Sequence, residues 1–190
     1  MRSKLVLAAL LVLSTLPVCA QVAPAVKYGG IPLGVGGGLS DYSLDYGHGR
    51  RMIGASVWVD YNLWHGVGVE GEGTSIFAAK PDSLTRMRQD TGKVGVIYKA
   101  HSEFGIRPYA KFLYGLASMD FPSHNPLYTH DTWSMYSVGG GGEYRVWNAV
   151  YVRADYEYQF WDNVFGKHTL NPNGFTIGGT YYLRGVHRHY

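Results

Sequence analysis

The most regular hydrophobic pattern in the chain lies between Ala149 and Phe160. Apolar or aromatic side chains occur at every second position from Val150 onward, and mostly charged or amide side chains stand between them. A two-residue period predicts a β-strand with one apolar face and one polar face. The segment is longer than the about 5–6 residues of a common soluble strand, and it matches the roughly 9–11 tilted residues that cross a bilayer.

Related alternation recurs along the chain and predicts eight strands. They cover residues 32–40, 52–61, 66–77, 91–100, 104–118, 133–146, 149–160 and 174–183. The connections between them alternate long and short, which is typical of an up-and-down antiparallel barrel with loops on one rim and tight turns on the other. We therefore predict an all-β fold, an eight-stranded antiparallel up-and-down transmembrane β-barrel. Its even strand number places both termini on the short-turn side.

The alternation does not by itself say which face points outward. A soluble barrel of the lipocalin type would turn its apolar face inward and would bind a small apolar ligand. Aromatic residues favour the opposite orientation, because they gather at two heights as two membrane interfaces would require. The short-turn group is Tyr61, Trp64, Tyr98, Phe104, Tyr144, Trp147 and Tyr181, and the long-loop group is Phe77, Trp133, Phe160, Trp161 and Phe175. In the membrane orientation Val152 faces lipid near mid-bilayer.

The polar face carries both signs of charge in near balance. Eight strands leave an interior that side chains fill, so an open channel is disfavoured and charges inside must be paired. We predict a structural ion-pair core in the lumen, with a proton or ion pathway as the alternative. The predicted core consists of Glu70, Glu72, Arg107, Lys111, Glu143, Arg145, Arg153, Asp155 and Glu157.

The N-terminus has the features of a secretory signal peptide over residues 1–20. A positively charged start at Arg2 and Lys4 precedes an apolar run, and small residues before Gln21 fit a cleavage site. Residues 21–190 then form the barrel domain. Lipidation of Cys19 is a less favoured alternative. No later segment has about 18 consecutive apolar residues, so any later membrane crossing must use strands.

Composition excludes several classes of function. The only cysteine is Cys19, so a chain cleaved after residue 20 has no disulfide, thiolate nucleophile or cysteine-ligated metal. Loss of Arg2 and Lys4 leaves 15 basic against 14 acidic residues, which indicates no nucleic-acid partner.

Several stretches resemble the outer membrane protein A-like β-barrel family. They are residues 107–111, 139–144 and 153–158, together with the terminal-strand pattern Thr176-x-Gly178-x-x-Tyr181-x-Leu183. The resemblance implies a bacterial outer-membrane location with periplasmic termini and extracellular long loops. It also implies outer-membrane lipid, lipopolysaccharide and the barrel-assembly machinery as partners. The chain departs from the family by continuing after this strand, over residues 184–190.

Some small barrels of this kind modify lipid A, so the histidines need attention. His130-Asp131-x-x-Ser134 is the one local trio that could supply a base, an orienting acid and a nucleophile. The register of Tyr136 turns Ser134 toward lipid, however, which disfavours this reading.

Two histidine pairs could bind a surface metal, His124 with His130 and His187 with His189, but no third or fourth ligand is evident. We predict a non-enzymatic protein without catalytic residues, metal or cofactor. Its role would be structural or interactive, through envelope integrity, adhesion or an unknown ligand of the loops. The alternatives are a lipid A acyl-modifying enzyme and the soluble periplasmic barrel.

Overall fold

Nine β-strands make up the regular structure of the residues described by the computed structural model. The described residues are 33–45, 51–78, 87–100, 104–120, 130–164 and 168–183. The strands are β1 (Leu33–Ser43), β2 (Arg51–Trp64), β3 (Val67–Ala78), β4 (Arg88–Lys99), β5 (Ile106–Asp120), β6 (His130–Arg145), β7 (Val150–Val164), β8 (His168–Leu170) and β9 (Asn173–Tyr182). Over these ranges no helix is long and apolar enough to cross a membrane. The predicted signal peptide, His124 and residues 184–190 lie outside the described residues.

Eight of these strands close into an antiparallel barrel. Each of β1 to β6 pairs with the next strand in sequence, β7 pairs with β9, and β9 pairs with β1. The short strand β8 pairs only with the end of β7 that lies beyond β9. The predicted eight-stranded up-and-down barrel is thus confirmed, because consecutive neighbours need only hairpin connections.

Connection lengths separate the two rims of the barrel. Residues 65–66, 100–105 and 146–149 connect strands at one end, which we call the short-turn end. Residues 44–50, 79–87 and 121–129 connect strands at the other, the long-loop end. The tightest turn has His65 at φ 47° and Gly66 at φ 86°, the left-handed conformations that a two-residue hairpin requires.

Side chains alternate between the lumen and the exterior along every barrel strand. On β2, for example, Val57 is 62% exposed while Trp58 is 2% exposed. The exterior is rich in Val, Leu, Ile, Phe and Tyr, and the interior contains nearly all the buried charge. This orientation confirms the predicted outward direction of the apolar face and argues against the soluble lipocalin-type alternative.

Two predicted rim aromatics are in fact inside the barrel. Trp133 is 7% exposed and Trp161 is fully buried, whereas Phe77 and Phe175 lie on the exterior as predicted. The prediction for the two tryptophans was wrong because it used height alone. Each tryptophan occupies a lumen-facing position in the alternation, and the strands β6 and β7 extend further toward the long-loop end than the sequence pattern indicated.

Candidate functional site in the barrel lumen

The lumen contains a set of eleven charged side chains that we call the lumen network. They come from six strands, β2 to β7, and all face inward because of the two-residue alternation. The acids are Asp60, Glu70, Glu72, Glu143, Asp155 and Glu157, and the bases are Lys93, Lys99, Arg107, Lys111 and Arg153. All are buried except Arg107, whose side chain is 25% exposed at the short-turn end.

Lys111 occupies the centre of the lumen network. Its ammonium nitrogen lies 2.6 Å from Glu72, 2.8 Å from Asp155, 3.2 Å from Glu157 and 3.4 Å from Glu70. One cation therefore contacts four carboxylates that project from β3 and β7. Since β5 borders neither of those strands, these contacts cross the interior instead of following the wall.

Lys93 makes a second bridge across the barrel. Its ammonium group contacts Glu157 and lies 2.9 Å from Glu72. The Nε2 of Gln159 also donates to Glu157, at 2.9 Å. Contacts between β4 and β7 join strands on separate parts of the wall, so side chains occupy the space through which a channel would have to pass.

Arg153 is held on all sides by polar and aromatic groups. Its two terminal nitrogens donate to Glu70 at 2.7 Å and 3.1 Å, and its Nε donates to the hydroxyl of Tyr109 at 2.7 Å. The guanidinium carbon lies 4.7 Å from the ring centre of Trp58. A bidentate ion pair combined with stacking is the geometry for which arginine is suited and lysine is not.

Gly36 on β1 makes room for the Trp58 ring. A Cβ at this position would lie 2.2 Å from the indole nitrogen. That nitrogen donates to Thr180 at 2.9 Å, which fixes the ring beneath Arg153. Packing against Trp58 in the lumen therefore explains why β1 has a glycine at position 36.

The short-turn end of the lumen network is built around Lys99. Its nitrogen lies 2.6 Å from Asp60, 3.0 Å from Glu143 and 2.5 Å from the Tyr182 hydroxyl. Arg107 pairs with Glu143 at 2.6 Å. A cavity of about 600 Å³ opens beside this group, lined by Asn62, His65, Gly66, Tyr98, Lys99, Ala100 and Arg107.

Toward the long-loop end, the side chains in the lumen are uncharged. A layer of hydroxyl and amide groups comes first, with Ser40 bonded to Ser56 at 2.6 Å and to Thr176 at 2.9 Å. Beyond it is an apolar lumen cluster of Tyr42, Leu44, Met52, Ile76, Met87, Ala117, Met119, Trp133, Met135, Trp161, Val164 and Leu170. The barrel interior thus has a charged part and an apolar part, both formed by its own side chains.

The structure brings eight of the nine predicted core residues into the lumen network, and the ninth is a correction. Arg145 is exposed, because it is the last residue of β6 and lies at the rim. Three members were missed, namely Asp60, Lys93 and Lys99. Their signal was present in the alternation, since each is adjacent to an outward-facing valine or tyrosine and so must face inward.

Two of the three side chains of the alternative catalytic trio are described. Ser134 is exposed on the exterior as its register predicted, and Asp131 is exposed with one oxygen accepting a bond from the Thr132 amide at 2.8 Å. The side chain of His130 is outside the described residues. Among the described side chains, no group of three or more His, Cys, Asp or Glu residues could hold a metal ion.

A closed eight-stranded barrel with an apolar exterior and a charged interior defines a transmembrane β-barrel of the bacterial outer membrane. The family model for the outer membrane protein beta-barrel domain matches residues 6–182, and the chain belongs to this family. The resemblance to outer membrane protein A-like barrels is thereby confirmed.

Solved structures show the same fold at low sequence identity. Neisserial surface protein A is 16% identical with a TM-score of 0.66, and the alignment covers 80% of this chain and 97% of that one. The attachment invasion locus protein of Yersinia pestis is 12% identical with a TM-score of 0.53, and the alignment covers 78% of this chain and 96% of that one. The N-terminal barrel domain of Pseudomonas aeruginosa OprF is 16% identical with a TM-score of 0.51, and the alignment covers 80% of this chain and 99% of that domain. No curated protein matches the chain significantly.

Proposed function

We propose that the protein is a non-enzymatic outer-membrane barrel whose role is carried by its surface loops, in adhesion or loop-mediated binding, and by its contribution to envelope integrity. The observation that carries this proposal is the lumen, where Lys111 and Lys93 reach carboxylates on strands that are not their neighbours. A filled interior serves as a rigid support for the rim, which leaves the loops as the variable part.

The proposed orientation places both termini in the periplasm and the long loops outside the cell. It is supported by the alternation of short and long connections, which in outer-membrane barrels are periplasmic and extracellular respectively. Membrane lipid would cover the apolar exterior, and the barrel-assembly machinery would act on β9 during insertion. Lipopolysaccharide would meet the long-loop end, where the ion pairs Arg51–Asp41 and Arg88–Asp90 are exposed.

Charge in the long connections favours an anionic loop ligand. Four basic residues, Arg50, Lys80, Arg86 and Lys167, stand there against the acids Asp45 and Asp82. The connecting segments themselves are therefore net positive, and positive loops attract polyanions through long-range electrostatics that salt weakens. The attachment invasion locus protein is known in complex with the heparin analogue sucrose octasulfate, which makes a sulfated polysaccharide a reasonable probe here.

We expect vesicles that contain the protein to be retained on immobilised heparin more strongly than empty vesicles, and to be released by salt. The double variant Lys80→Ser/Arg86→Ser should bind several-fold less, because it removes two of the four loop cations. Retention of labelled vesicles at low and high ionic strength measures both effects.

A matched control is Arg145→Ser, which removes an exposed cation at the opposite rim and should leave retention unchanged. Equal retention of parent and empty vesicles would contradict the adhesive role. The lipid A mass spectrum of expressing cells tests the enzymatic alternative. A spectrum that changes with the parent but not with His130→Ala would replace the proposal by a lipid A-modifying activity.

A further inference from the structure

The lumen network contains one more carboxyl group than cations. Among the described residues, six acids face five bases, and every acid has 6% or less of its surface exposed. A buried charge that has no partner of opposite sign is strongly unfavourable, so a positively charged ligand must neutralise the excess negative charge. The smallest such ligand is a proton.

Register identifies the place where the excess is concentrated. Asp60 on β2 lies directly opposite Glu70 on β3, and both residues are fully buried. Side chains at directly opposite positions have Cβ atoms roughly 4.5–5.5 Å apart, and like charges there repel. This register brings the two carboxyl groups together inside the lumen, with no access to solvent.

The hydrogen-bond donors around this pair are unequally distributed. Both oxygens of Glu70 accept bonds from Arg153. On Asp60, Oδ2 accepts from Lys99 at 2.6 Å, whereas Oδ1 is buried and has no hydrogen-bond partner in the described structure. The Nη1 of Arg153 lies 3.6 Å from Oδ1, too far for a hydrogen bond. Oδ1 therefore lacks a donor unless one of the carboxyl groups carries a proton.

The other charged groups that face Asp60 do not compensate the pair. Lys99 from β4 is shared with Glu143 of β6 and with the Tyr182 hydroxyl of β9. Arg107 from β5 pairs with Glu143, and Arg153 from β7 also contacts Asp155 at 3.1 Å. Lys111 from β5 lies 3.4 Å from Glu70, but it is shared with the closer acids Glu72, Asp155 and Glu157. Each neighbouring cation is already engaged with another acid.

We propose that Asp60 and Glu70 bind one proton between them when the barrel is folded at neutral pH. The proton lies on the line between Asp60 Oδ1 and a Glu70 oxygen, where it turns a repulsive contact into a hydrogen bond. The lumen is then a proton-binding site, and the charge of the lumen network becomes zero. This inference depends only on the lumen and not on the proposed role of the loops.

The proposal predicts a specific dependence of stability on pH. In the unfolded chain both carboxyls are ionised at neutral pH, so unfolding releases one proton. The folded state binds more protons than the unfolded state, and stability therefore falls as pH rises. The equilibrium constant for unfolding should increase by about tenfold per pH unit from this site alone.

Asp60→Asn tests the proposal, because asparagine has the shape of a protonated aspartate. Its oxygen can still accept from Lys99, and its amide can donate to Glu70. Between about pH 6 and about pH 8, we expect the unfolding constant of this variant to rise less steeply than that of the parent, by about tenfold per pH unit. Asp41→Asn is the matched control, since Asp41 is an exposed acid paired with Arg51, and it should keep the parent's slope.

Infrared spectroscopy of the parent supplies a test that does not require a folded variant. A protonated carboxylic acid band should be present in the folded barrel at neutral pH and should disappear when the barrel unfolds. Parallel slopes for parent and Asp60→Asn, or no acid band in the folded parent, would overturn the proposal. A slope that follows sodium concentration instead of pH would assign a metal cation to the pair and would also overturn it.

Discussion

Replacing Lys111 with methionine is expected to destabilise the barrel by about 3–5 kcal/mol. Methionine matches the length of the lysine stem but carries no charge. The variant would leave Glu70, Glu72, Asp155 and Glu157 inside the barrel with only the remaining cations of the lumen network. Because these acids have side chains no more than 3% exposed, water cannot replace the lost partner.

The measurement is the free energy of unfolding in lipid vesicles, from urea titrations followed by tryptophan fluorescence. Arg145→Met is the matched control, since Arg145 is likewise a cation on the lumen side of the alternation but is exposed at the rim. Its effect should stay within about 0.5 kcal/mol. If both variants lose the same small amount, the lumen carboxylates are hydrated and the ion-pair core does not stabilise the barrel.

Val57→Arg should destabilise the inserted barrel by about 2–4 kcal/mol, because it places a charge against lipid near mid-bilayer. Val57 is 62% exposed on the exterior of β2. On the same face of that strand, Tyr61 lies toward the short-turn end, and Ile53 pairs with Phe77 toward the long-loop end. Val57 is therefore midway between the two aromatic groups that mark the interfaces.

Val152→Arg provides a depth control for this prediction. The sequence placed Val152 near mid-bilayer, but it pairs with Tyr144 and lies two residues from the start of β7. An arginine there can extend its charge into the interface, so the expected loss is about 0–1 kcal/mol. Equal losses for the two arginine variants in the same vesicles would show that the exterior is not covered by a hydrocarbon layer.

The sequence predicted the barrel well because one local rule determines most of its features. A two-residue period marks a strand, assigns each side chain to a face and, repeated eight times with alternating connections, gives the topology. The same rule explains the errors. On β4 the outward-facing Val94 and Tyr98 are the visible signal, and Lys93 and Lys99 beside them must face the lumen. Trp133 also faces the lumen by its place in the alternation, whereas height alone predicts a position at the membrane interface.

Pairing across the lumen could not be predicted in the same way. Lys93 meets Glu157 although 64 residues separate them, and Arg153 meets Glu70 across 83. These contacts depend on how the barrel closes and on the stagger between its strands. Neither can be predicted from the alternation within a single strand. The hairpin of β7 with β8 was missed for a related reason, because three residues are too few to show a period.

Electrophoresis of an outer-membrane fraction in dodecyl sulfate distinguishes a closed barrel in the outer membrane from a soluble periplasmic protein. A closed barrel resists the detergent until it is heated, so unboiled and boiled samples should migrate differently. Lys111→Met should lose this difference at a lower temperature than the parent. Identical mobility before and after boiling, with the protein recovered in the soluble periplasmic fraction, would contradict the account.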